Sequence, residues 1–372
     1  MSKEMERVAE AIRAFERGEI VVVTDDDDRE NEGDLIVAAS RVTTEQMAFI
    51  IRHCCGIVCA PMTLEDARRL QLAPMVADND APLGTAFTVT VDYKHETTTG
   101  ISASDRTATV RALANHNAGA VDFVRPGHIF PLVAKDGGVL VRSGHTEAAV
   151  DLCRLAGLPP VGVICELVND DGTVKRGSQV EEFALEHDLR QVSVADMIAY
   201  RQRKERLVER TGEVAIETAY GKAHAISYST PFDPMQHLAI VFGDIRDGQS
   251  IPVRLHMESV VADVFGTDQE LNRIMDRFSA DRGVIVYLRE GSPGVTGDSK
   301  TLHGSRQDAL KNAESEKHNS AQSRDTEWRD IGLGAQILAD LGIESIRLLA
   351  SRKRHYVGLD GFGIEIKATD II

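Results

Sequence analysis

Cysteine is scarce in this sequence, and its apolar runs are short. Only five of the 372 residues are cysteine, an odd number, and no CxxC pair stands opposite another. We therefore expect neither a disulfide framework nor a structural zinc site. No apolar run reaches the roughly 18 residues that a membrane helix needs, and the polar N-terminus resembles no secretory signal. These absences favour a cytoplasmic protein with reduced thiols, mostly in its core, and no membrane partner.

Basic residues are also in short supply. The chain has 42 Lys and Arg against 58 Asp and Glu, a formal net charge of -16, and no basic stripe. Nucleic-acid binding is not expected, because phosphate backbones are held by clustered basic side chains. A small phosphorylated substrate is compatible with this charge, since one or two well-placed Arg or Lys residues can hold a phosphate. Neither GxGxxG nor GxxxxGK[ST] occurs in a supporting context, so dinucleotide or P-loop binding is not indicated.

Apolar periodicity predicts helices that alternate with strands, and therefore an α/β (α+β) protein with layers of sheet and helix. A length of 372 residues fits two domains, and the charge-rich segment 201–210, typical of a solvated helix end or linker, places them at 1–205 and 206–372. The polar stretch 297–329 predicts a long mobile loop. Helices are predicted over 4–17, after an N-cap at Thr43 or Thr44, after Thr63, over 143–156 and over 331–341; strands over 20–24, 34–39, 56–60, 85–91, 129–134, 161–166, 214–218, 224–229, 238–242, 251–256, 284–288 and 345–349.

The densest chemical feature is the acidic run DDDDRENEGD at 25–34, between two predicted buried strands. Acidic runs are more often solvated faces, but a short loop on a rigid sheet edge frequently carries a functional site. Glu30 and Glu32 have the spacing of residues that share one side of a strand. Clustered carboxylates are the preferred ligands of a hard cation such as Mg2+. The run therefore predicts a magnesium site, with a solvated acidic surface as the alternative.

A second candidate site is the segment RSGHTEA that begins at Arg142, where a strand ends and a helix begins. The small residues Ser143 and Gly144 allow a ligand close to the backbone. Free amides at a helix N-terminus, together with Arg142, form an anion site. His145 could ligate a metal or move protons. The alternative is that Thr146 caps the helix and the histidine lies on the surface.

Three weaker candidates complete the set. In RPGHIFP, a proline–glycine turn presents His128 at the start of a strand, where a structural role is more common than a catalytic one. Glu166 ends an apolar strand and could act as a base, or could be the first exposed residue. The polar loop 99–106, TGISASDR, could bind a polyol or form a turn. A metal site, an anion site, two histidines and an isolated carboxylate together suit the enolisation of a sugar phosphate.

These motifs resemble one family. DDRENEGDLI, GIVCAPM, TGISASDR, RPGHIFPL, RSGHTEAAVDL and GVICELVNDDG occur in this order over residues 1 to about 200, as in 3,4-dihydroxy-2-butanone-4-phosphate synthase of riboflavin biosynthesis. The resemblance implies an α/β domain that acts as a homodimer, with its active site near the subunit interface. It implies a lyase that converts D-ribulose 5-phosphate to L-3,4-dihydroxy-2-butanone 4-phosphate and formate with Mg2+, with Mn2+ as an alternative cation.

The resemblance also implies roles for individual residues. It assigns magnesium binding to Glu30 and His145, and catalysis to His128 and Glu166. Substrate contacts fall on Arg29, Glu30, Asp34, Arg142, Ser143, Gly144, His145, Thr146 and Glu166. Further polar pocket positions are Glu32 and Asp105, and Cys59 flanks the site, although we expect that thiol to be a packing residue.

The second half resembles GTP cyclohydrolase II through VRLH at 253–256, ADVFG at 262–266, GVIVYL at 283–288 and RDIGLGAQIL at 329–338. The three cysteines of that family's zinc site are replaced by Ser259, Glu270 and Asn272, and its EGRG loop reads EGSPG here. A tetrahedral zinc that activates water needs such thiolates, so we expect a GTP cyclohydrolase II-like α/β domain without zinc and without activity. The alternatives are a bifunctional enzyme that still opens GTP, and a non-catalytic regulatory or scaffold protein.

Overall fold

The computed structural model describes residues 3–25, 30–81, 83–231, 233–259, 263–264, 270–289, 332–350 and 364–371. The chain forms two compact units, Met1–Arg201 and Gln202–Ile372. The predicted mobile loop at 297–329 lies outside the described residues. No helix in the part of the chain that the structure describes is long and apolar enough to cross a membrane.

The N-terminal unit is a mixed seven-stranded sheet with helices on its faces. The strands lie in the order β4-β5-β3-β6-β2-β1-β7. Pairing is antiparallel in β1/β2, β2/β6, β3/β6 and β4/β5, and parallel in β3/β5 and β1/β7. The strands are β1 (Val21–Thr24), β2 (Gly33–Ala38), β3 (Cys59–Met62), β4 (Val91–Tyr93), β5 (Phe123–Val133), β6 (Gly162–Glu166) and β7 (Arg190–Ser193). The helices are α1 (Lys3–Glu16), α2 (Thr44–His53), α3 (Leu64–Arg69), α4 (Ala103–Leu113), α5 (His145–Leu155), α6 (Ser178–Glu186) and α7 (Val194–Lys204).

Apolar burial on both faces of this sheet explains why β2 and β6 read as continuous apolar runs rather than alternating ones. All six residues of β2 are buried. One face of the sheet packs into a core that includes Leu35, Val37 and Val163. On the other face, α5 comes so close to β6 that a Cβ at Gly162 would lie 2.9 Å from the Cβ of Ala149. A sheet covered on both faces holds its strand ends rigidly, which is what a site at those ends requires.

Helix starts in this unit follow the capping chemistry of the sequence. Thr43 accepts a hydrogen bond from the amide of Gln46, whose side chain accepts one from the Thr43 amide, a complete capping box. Thr63 caps α3 through the amide of Asp66. Both predicted N-caps are therefore confirmed, because a side-chain oxygen at this position satisfies an amide that has no partner within the helix.

Three predicted segments differ from the structure. The strand predicted over 56–60 begins only at Cys59, and of the strand predicted over 85–91 only Val91 belongs to a named strand, β4. Phe87 and Thr88 make isolated bridges instead. The predicted turn at Pro126 and Gly127 is wrong, because both residues lie inside β5, where Gly127 packs against the backbone of β4.

The prediction that segment 201–210 is solvated is wrong at four positions, because Arg201, Gln202, Leu207 and Val208 are buried. Arg201 is 7% exposed. Its Nη1 donates to Oδ2 of Asp151 and to the carbonyl of Gly137, both at 2.7 Å. Burial raises the pKa of Asp151, while Arg201 and an amide hydrogen bond from Val139 act in the opposite direction. A buried guanidinium needs such partners, and they lie 50 and 64 residues away in the sequence, where charge composition gives no hint of them.

The C-terminal unit is a second mixed seven-stranded sheet, with the strand order β14-β13-β11-β12-β10-β9-β8. All of the predicted strands in this half are confirmed. Its core contains Phe242, Ile274, Phe278, Ile285 and Leu349. The strands are β8 (Glu209–Thr218), β9 (Gly221–Thr230), β10 (Asp233–Phe242), β11 (Ile251–Met257), β12 (Gly283–Leu288), β13 (Ser345–Ala350) and β14 (Glu365–Ile371), and the helices are α8 (Glu270–Ser279) and α9 (332–340).

Candidate active site

Strand register brings three of the predicted site residues to one end of the N-terminal sheet. Asp34 on β2 faces Glu166 on β6. Cys59 on β3 has one partner on β5 and one on β6. His128 and Glu166 each lie two residues beyond those partners, on the same side of Cys59. Because side chains alternate with period two, Asp34, Glu166 and His128 project from the same face of the sheet.

The Asp34 carboxyl group lies in a buried and negatively charged environment. The residue is 2% exposed. Burial raises the pKa of Asp34 well above its ordinary value, and the carboxylates of Glu166 and Glu30 raise it further. Its Oδ1 lies 3.8 Å from Nδ1 of His145 and has no hydrogen-bond partner among the described residues. Such a carboxyl group requires either a proton or a cation to be stable.

The acidic loop is organised by Asp25, which sequence reasoning did not single out. The Asp25 carboxylate accepts the amides of Glu30, at 3.0 Å, and Glu32, at 2.9 Å. The Glu32 side chain pairs with Arg176 at 3.1 Å. Arg29 lies outside the described residues. Asp25 thus fixes the backbone that carries Glu30, while Glu32 is engaged by a basic side chain from a distant loop.

The N-terminus of α5 lies beside Asp34, which His145 approaches to 3.8 Å. His145 is the first helical residue and is 6% exposed, and the N-cap is Gly144, which offers no side-chain capping bond. Ser143 and Thr146 are buried as well. The alternative in which Thr146 caps the helix and the histidine lies on the surface is therefore wrong. First-turn amides that lack a side-chain cap favour an anion.

Arg142 is held by Glu147, another residue that the sequence did not reveal. Its Nη1 lies 2.6 Å from Oε2 of Glu147, a side chain that is 1% exposed. Its Nη2 donates to the carbonyl of Leu83 and to Thr85, both at 3.2 Å. A Cβ at Gly144 would come within 2.5 Å of Arg142 Nη1. Glycine at this position therefore leaves room for the ion pair, which fixes the guanidinium beside the helix N-terminus.

His128 is oriented by Asp92, the clearest functional candidate that the sequence did not show. His128 Nδ1 lies 2.7 Å from Asp92 Oδ2, and the His128 amide donates to Asp92 Oδ1 at 2.8 Å. The Asp92 side chain is 9% exposed, whereas that of His128 is 43% exposed. A buried carboxylate that accepts a hydrogen bond from Nδ1 leaves Nε2 as the ring nitrogen available to a ligand. The signal lies in β4/β5 pairing, 36 residues apart, and no local motif contains it.

The loop at 99–106 packs against the His128–Asp92 pair. Asp105 is 2% exposed and accepts hydrogen bonds from Thr98 and from the amide of Gly100 at 3.0 Å. A Cβ at Gly100 would lie 2.1 Å from Asp92 Oδ2 and 2.6 Å from His128 Nδ1. Asp105 therefore holds the loop in place, and Gly100 permits its close approach to the pair.

The thiols divide between core and surface. Cys54, Cys59, Cys153 and Cys165 are buried and Cys55 is exposed. Burial raises the pKa of Cys59, with contributions from Glu166 and Asp34, so this thiol is neutral and packs beneath the site. Cys55 Sγ donates to Glu166 Oε2 at 2.8 Å.

In the C-terminal unit, the positions of the three missing cysteines are described, and one of them carries an ion pair. Glu270 Oε1 lies 2.6 Å from Nη2 of Arg254, which is 9% exposed. The Arg254 Nη1 donates to the carbonyl of Leu349 at 3.1 Å. The amide of Ser259 donates to Asp263, which also contacts His256 at 3.0 Å. A guanidinium thus lies against a side chain that would have to be a metal ligand.

Known proteins agree with this two-part organisation. The family profile of 3,4-dihydroxy-2-butanone 4-phosphate synthase matches residues 9–200, and that of GTP cyclohydrolase II matches residues 209–370. Among similar proteins, the Arabidopsis thaliana bifunctional riboflavin biosynthesis protein RIBA 1, chloroplastic, is 47% identical, over 96% of this chain and 67% of its own length. The Nocardia farcinica riboflavin biosynthesis protein RibBA is 46% identical, over 96% of this chain and 88% of its own length.

Two solved structures are similar as well. RibBX, a two-domain 3,4-dihydroxy-2-butanone 4-phosphate synthase from A. baumannii, superposes with a TM-score of 0.81 at 36% identity, covering 98% of this chain and all of its own. A 3,4-dihydroxy-2-butanone 4-phosphate synthase in complex with two magnesium ions has a TM-score of 0.51 at 49% identity, covering 52% of this chain and 96% of its own. The chain therefore belongs to the 3,4-dihydroxy-2-butanone 4-phosphate synthase family of riboflavin biosynthesis and is an enzyme of that type, with a GTP cyclohydrolase II-like second region.

Proposed function

We propose that the N-terminal unit converts D-ribulose 5-phosphate to L-3,4-dihydroxy-2-butanone 4-phosphate and formate with Mg2+, and that the C-terminal unit is not catalytic. The observation that carries the first part is the facing pair Asp34 and Glu166, beside His145 and at the same sheet end as His128. Enolisation of a phosphorylated ketose needs a base, stabilisation of a developing oxyanion and a phosphate anchor. These side chains supply the base and the surroundings of a cation, and Arg142 at the N-terminus of α5 supplies the phosphate anchor.

The side chains of this chain fit a magnesium ion. Asp34 Oδ1 is buried without a hydrogen-bond partner among the described residues, and the acidic side chains around it raise its pKa. The site thus holds more negative charge than it neutralises, which favours a hard cation. Glu30 and His145 would hold the metal, with Mn2+ able to replace Mg2+. When bound, the metal polarises the substrate carbonyl and stabilises negative charge on its oxygen.

The phosphate of the substrate would lie at the N-terminus of α5. Gly144 provides no competing side-chain cap, and the amides of His145 and Thr146 begin the helix. Arg142 is fixed beside them by Glu147, so a phosphate would meet an oriented guanidinium rather than a mobile one. A guanidinium and helix amides together form a strong phosphate site. Ser143 and Arg29 are the remaining substrate contacts of this proposal.

Proton transfers fall to His128 and Glu166. One base removes the C3 proton to give an enediol, which loses water; the carbon skeleton then migrates, and hydration releases C4 as formate. One water leaves and one enters, so the atoms of the substrate equal those of the two products. Asp92 would hold the imidazole of His128 in one tautomer through this sequence, the usual arrangement for a histidine that exchanges protons.

Isosteric substitutions test this assignment. We expect Glu166→Gln and His128→Asn each to lower kcat by at least about 100-fold, because each removes a group that exchanges protons. The matched control is Glu182→Gln on the exposed side of α6, which should retain wild-type kcat. Formate release is followed with ribulose 5-phosphate at saturating Mg2+, and far-ultraviolet circular dichroism checks folding. A folded Glu166→Gln protein with wild-type turnover would remove Glu166 from the mechanism.

The proposal of an inactive C-terminal unit is supported by the chemistry at the lost zinc positions. Ser259, Glu270 and Asn272 stand where the related enzymes carry cysteines, and Glu270 is neutralised by Arg254. A buried guanidinium repels a second cation, so zinc binding here would require breaking that ion pair. We expect the C-terminal unit to hold no zinc, as measured in the Cys55→Ser variant, and the full chain to leave GTP intact. Zinc at one equivalent per chain, with formate released from GTP, would restore the bifunctional alternative.

The remaining hypothesis for the C-terminal unit is a scaffold role. In that role it would stabilise the homodimer that we expect this chain to form. Truncation after Glu205 keeps Arg201 and therefore the buried pair with Asp151. We expect the shortened chain to lose thermal stability or dimer mass, as measured by calorimetry and light scattering. A truncated protein that matches the full chain in activity, mass and stability would rule the scaffold role out.

A further inference from the structure

Cys55 and Cys165 form a thiol pair that the proposed mechanism does not use. Their Sγ atoms lie 3.7 Å apart, and Cys55 Sγ lies 2.8 Å from Oε2 of Glu166. The Cys55 amide donates to the Glu166 carbonyl at 2.9 Å, and an isolated bridge joins Cys54 to Leu167, so backbone contacts hold the two segments together. Cys165 is buried and Cys55 is exposed. The three side-chain donors lie within 4.8 Å of one another, with an open side toward solvent.

We propose that Cys55, Cys165 and Glu166 form a binding site for a thiophilic divalent cation of the Zn2+ type, separate from the magnesium site. Two sulfur donors and one carboxylate oxygen are three of the four ligands of a tetrahedral zinc, and water from the exposed side supplies the fourth. A hard cation such as Mg2+ prefers an all-oxygen environment and would not select this set.

The spacing of the sulfur atoms favours a metal over a disulfide. Zn–S bonds of about 2.3 Å at a tetrahedral angle place two sulfurs about 3.8 Å apart, close to the 3.7 Å observed. The sulfur–oxygen edge would be about 3.5 Å, so Glu166 has to withdraw by less than about 1 Å from its 2.8 Å contact. A disulfide would require the sulfurs to approach to about 2.05 Å, a much larger movement between paired backbones.

Charge balance gives the site a measurable signature. The Cys55 thiol donates a hydrogen bond to Glu166, and the Cys165 thiol donates one to the Ile57 carbonyl. The hydrogen bond with Cys165, burial and the Glu166 carboxylate all raise the pKa of Cys55, so the thiols are neutral before a cation binds. Binding converts both S–H groups to thiolates and releases two protons to solvent. Glu166 would then be a ligand; given its proposed catalytic role, the synthase would be inhibited.

The experiment uses the full chain, reduced with a phosphine, in saturating Mg2+ and with Cd2+ as the spectroscopic probe. We expect one thiolate-to-cadmium charge-transfer band per chain and release of two protons per Cd2+ in weakly buffered indicator solution. Cys55→Ser and Cys165→Ser should each weaken Cd2+ binding by at least about 100-fold. Cys153→Ala, which removes a buried thiol on α5 outside this group, should keep the band. Serine at the exposed position 55 can still donate to Glu166, so that variant is expected to fold.

The outcomes separate this site from the magnesium site and from the assigned activity. Absence of the band in the wild-type chain, its persistence in Cys55→Ser, or Cd2+ binding without proton release would each overturn the site. The cadmium band does not depend on turnover, so it decides the question even if ribulose 5-phosphate is not the substrate. In the synthase assay, added Zn2+ should inhibit the wild type more strongly than Cys55→Ser; equal inhibition would refute the link to Glu166.

Discussion

The pairing of Asp92 with His128 leads to a sharp prediction. Substitution Asp92→Asn keeps the shape of the side chain, and its carbonyl can still accept the His128 amide now held at 2.8 Å. The amide NH2 would then face Nδ1, replacing the acceptor now 2.7 Å away by a donor. The ring must give up its Nδ1–H tautomer or turn away. In the first case Nε2 changes its protonation, and in the second it changes its position relative to the substrate.

The size of the effect follows from the bond that is lost. A hydrogen bond to a charged group contributes about 1.5–3 kcal/mol, and each 1.36 kcal/mol of transition-state stabilisation is about tenfold in rate. Asp92→Asn should therefore lower kcat about 10- to 100-fold, with little change in KM, since the phosphate contacts lie elsewhere. The measurement is steady-state formate release with ribulose 5-phosphate, together with thermal unfolding to confirm the fold.

A matched control lies on the same sheet edge. Asp122 contacts Nε2 of the exposed His95 at 3.2 Å, the same kind of pair in a position with no proposed role. Asp122→Asn should keep wild-type kcat. If Asp92→Asn is folded and its kcat lies within twofold of the wild type, or if both variants lose activity equally, the reasoning about His128 is refuted.

Two further predictions concern the remainder of the site. Gly144→Ala should raise KM for the sugar phosphate about tenfold or more, because its Cβ would come within 2.5 Å of Arg142 Nη1 and displace the pair with Glu147. Gly119→Ala is the control for a glycine change on its own, because Gly119 is also an N-cap, with φ -114°, and its Cβ would meet only Asp122 Oδ2, at 3.9 Å. An unchanged KM in Gly144→Ala would contradict the anchor. Asp34→Asn should abolish turnover yet stabilise the metal-free fold by on the order of 1 kcal/mol, because burial and neighbouring carboxylates raise the pKa of Asp34. The folded state then holds the proton more tightly than the unfolded chain, so wild-type stability falls as pH rises above the ordinary Asp value. The difference in unfolding stability between Asp34→Asn and the wild type should therefore widen as pH rises. A difference that narrows with rising pH in calorimetry would contradict the buried charge.

Local chemistry in the sequence was enough to predict much of the fold. The caps at Thr43 and Thr63 use residues only three positions away. Apolar or alternating runs predicted six of the seven strands of the C-terminal unit, and β14 was missed. The segment 56–60 combines a glycine with an apolar run, and its predicted start was wrong. Gly56 adopts φ +87°, and β3 starts three residues later, at Cys59.

The partners that tune the site were not predictable, because they come from distant strands and helices. His128 and Arg142 were visible as candidates, but the carboxylates that hold them, Asp92 and Glu147, were not. Asp92 meets His128 only through β4/β5 pairing, and Glu147 reads as an ordinary first-turn acid of α5. Arg201 was interpreted as solvated because nothing in its neighbourhood reveals Asp151. The roles of Glu30, Asp34 and His145 as ligands remain predictions.

The most direct test of the whole account is a paired substrate assay on the full-length protein. Ribulose 5-phosphate and GTP are supplied in separate reactions with Mg2+, and formate and the four-carbon phosphate are followed, with and without EDTA. The account predicts both products from the sugar phosphate, loss of turnover with EDTA, and no formate from GTP. Folded, metal-supplied protein that leaves ribulose 5-phosphate untouched, or that releases formate from GTP, would contradict it.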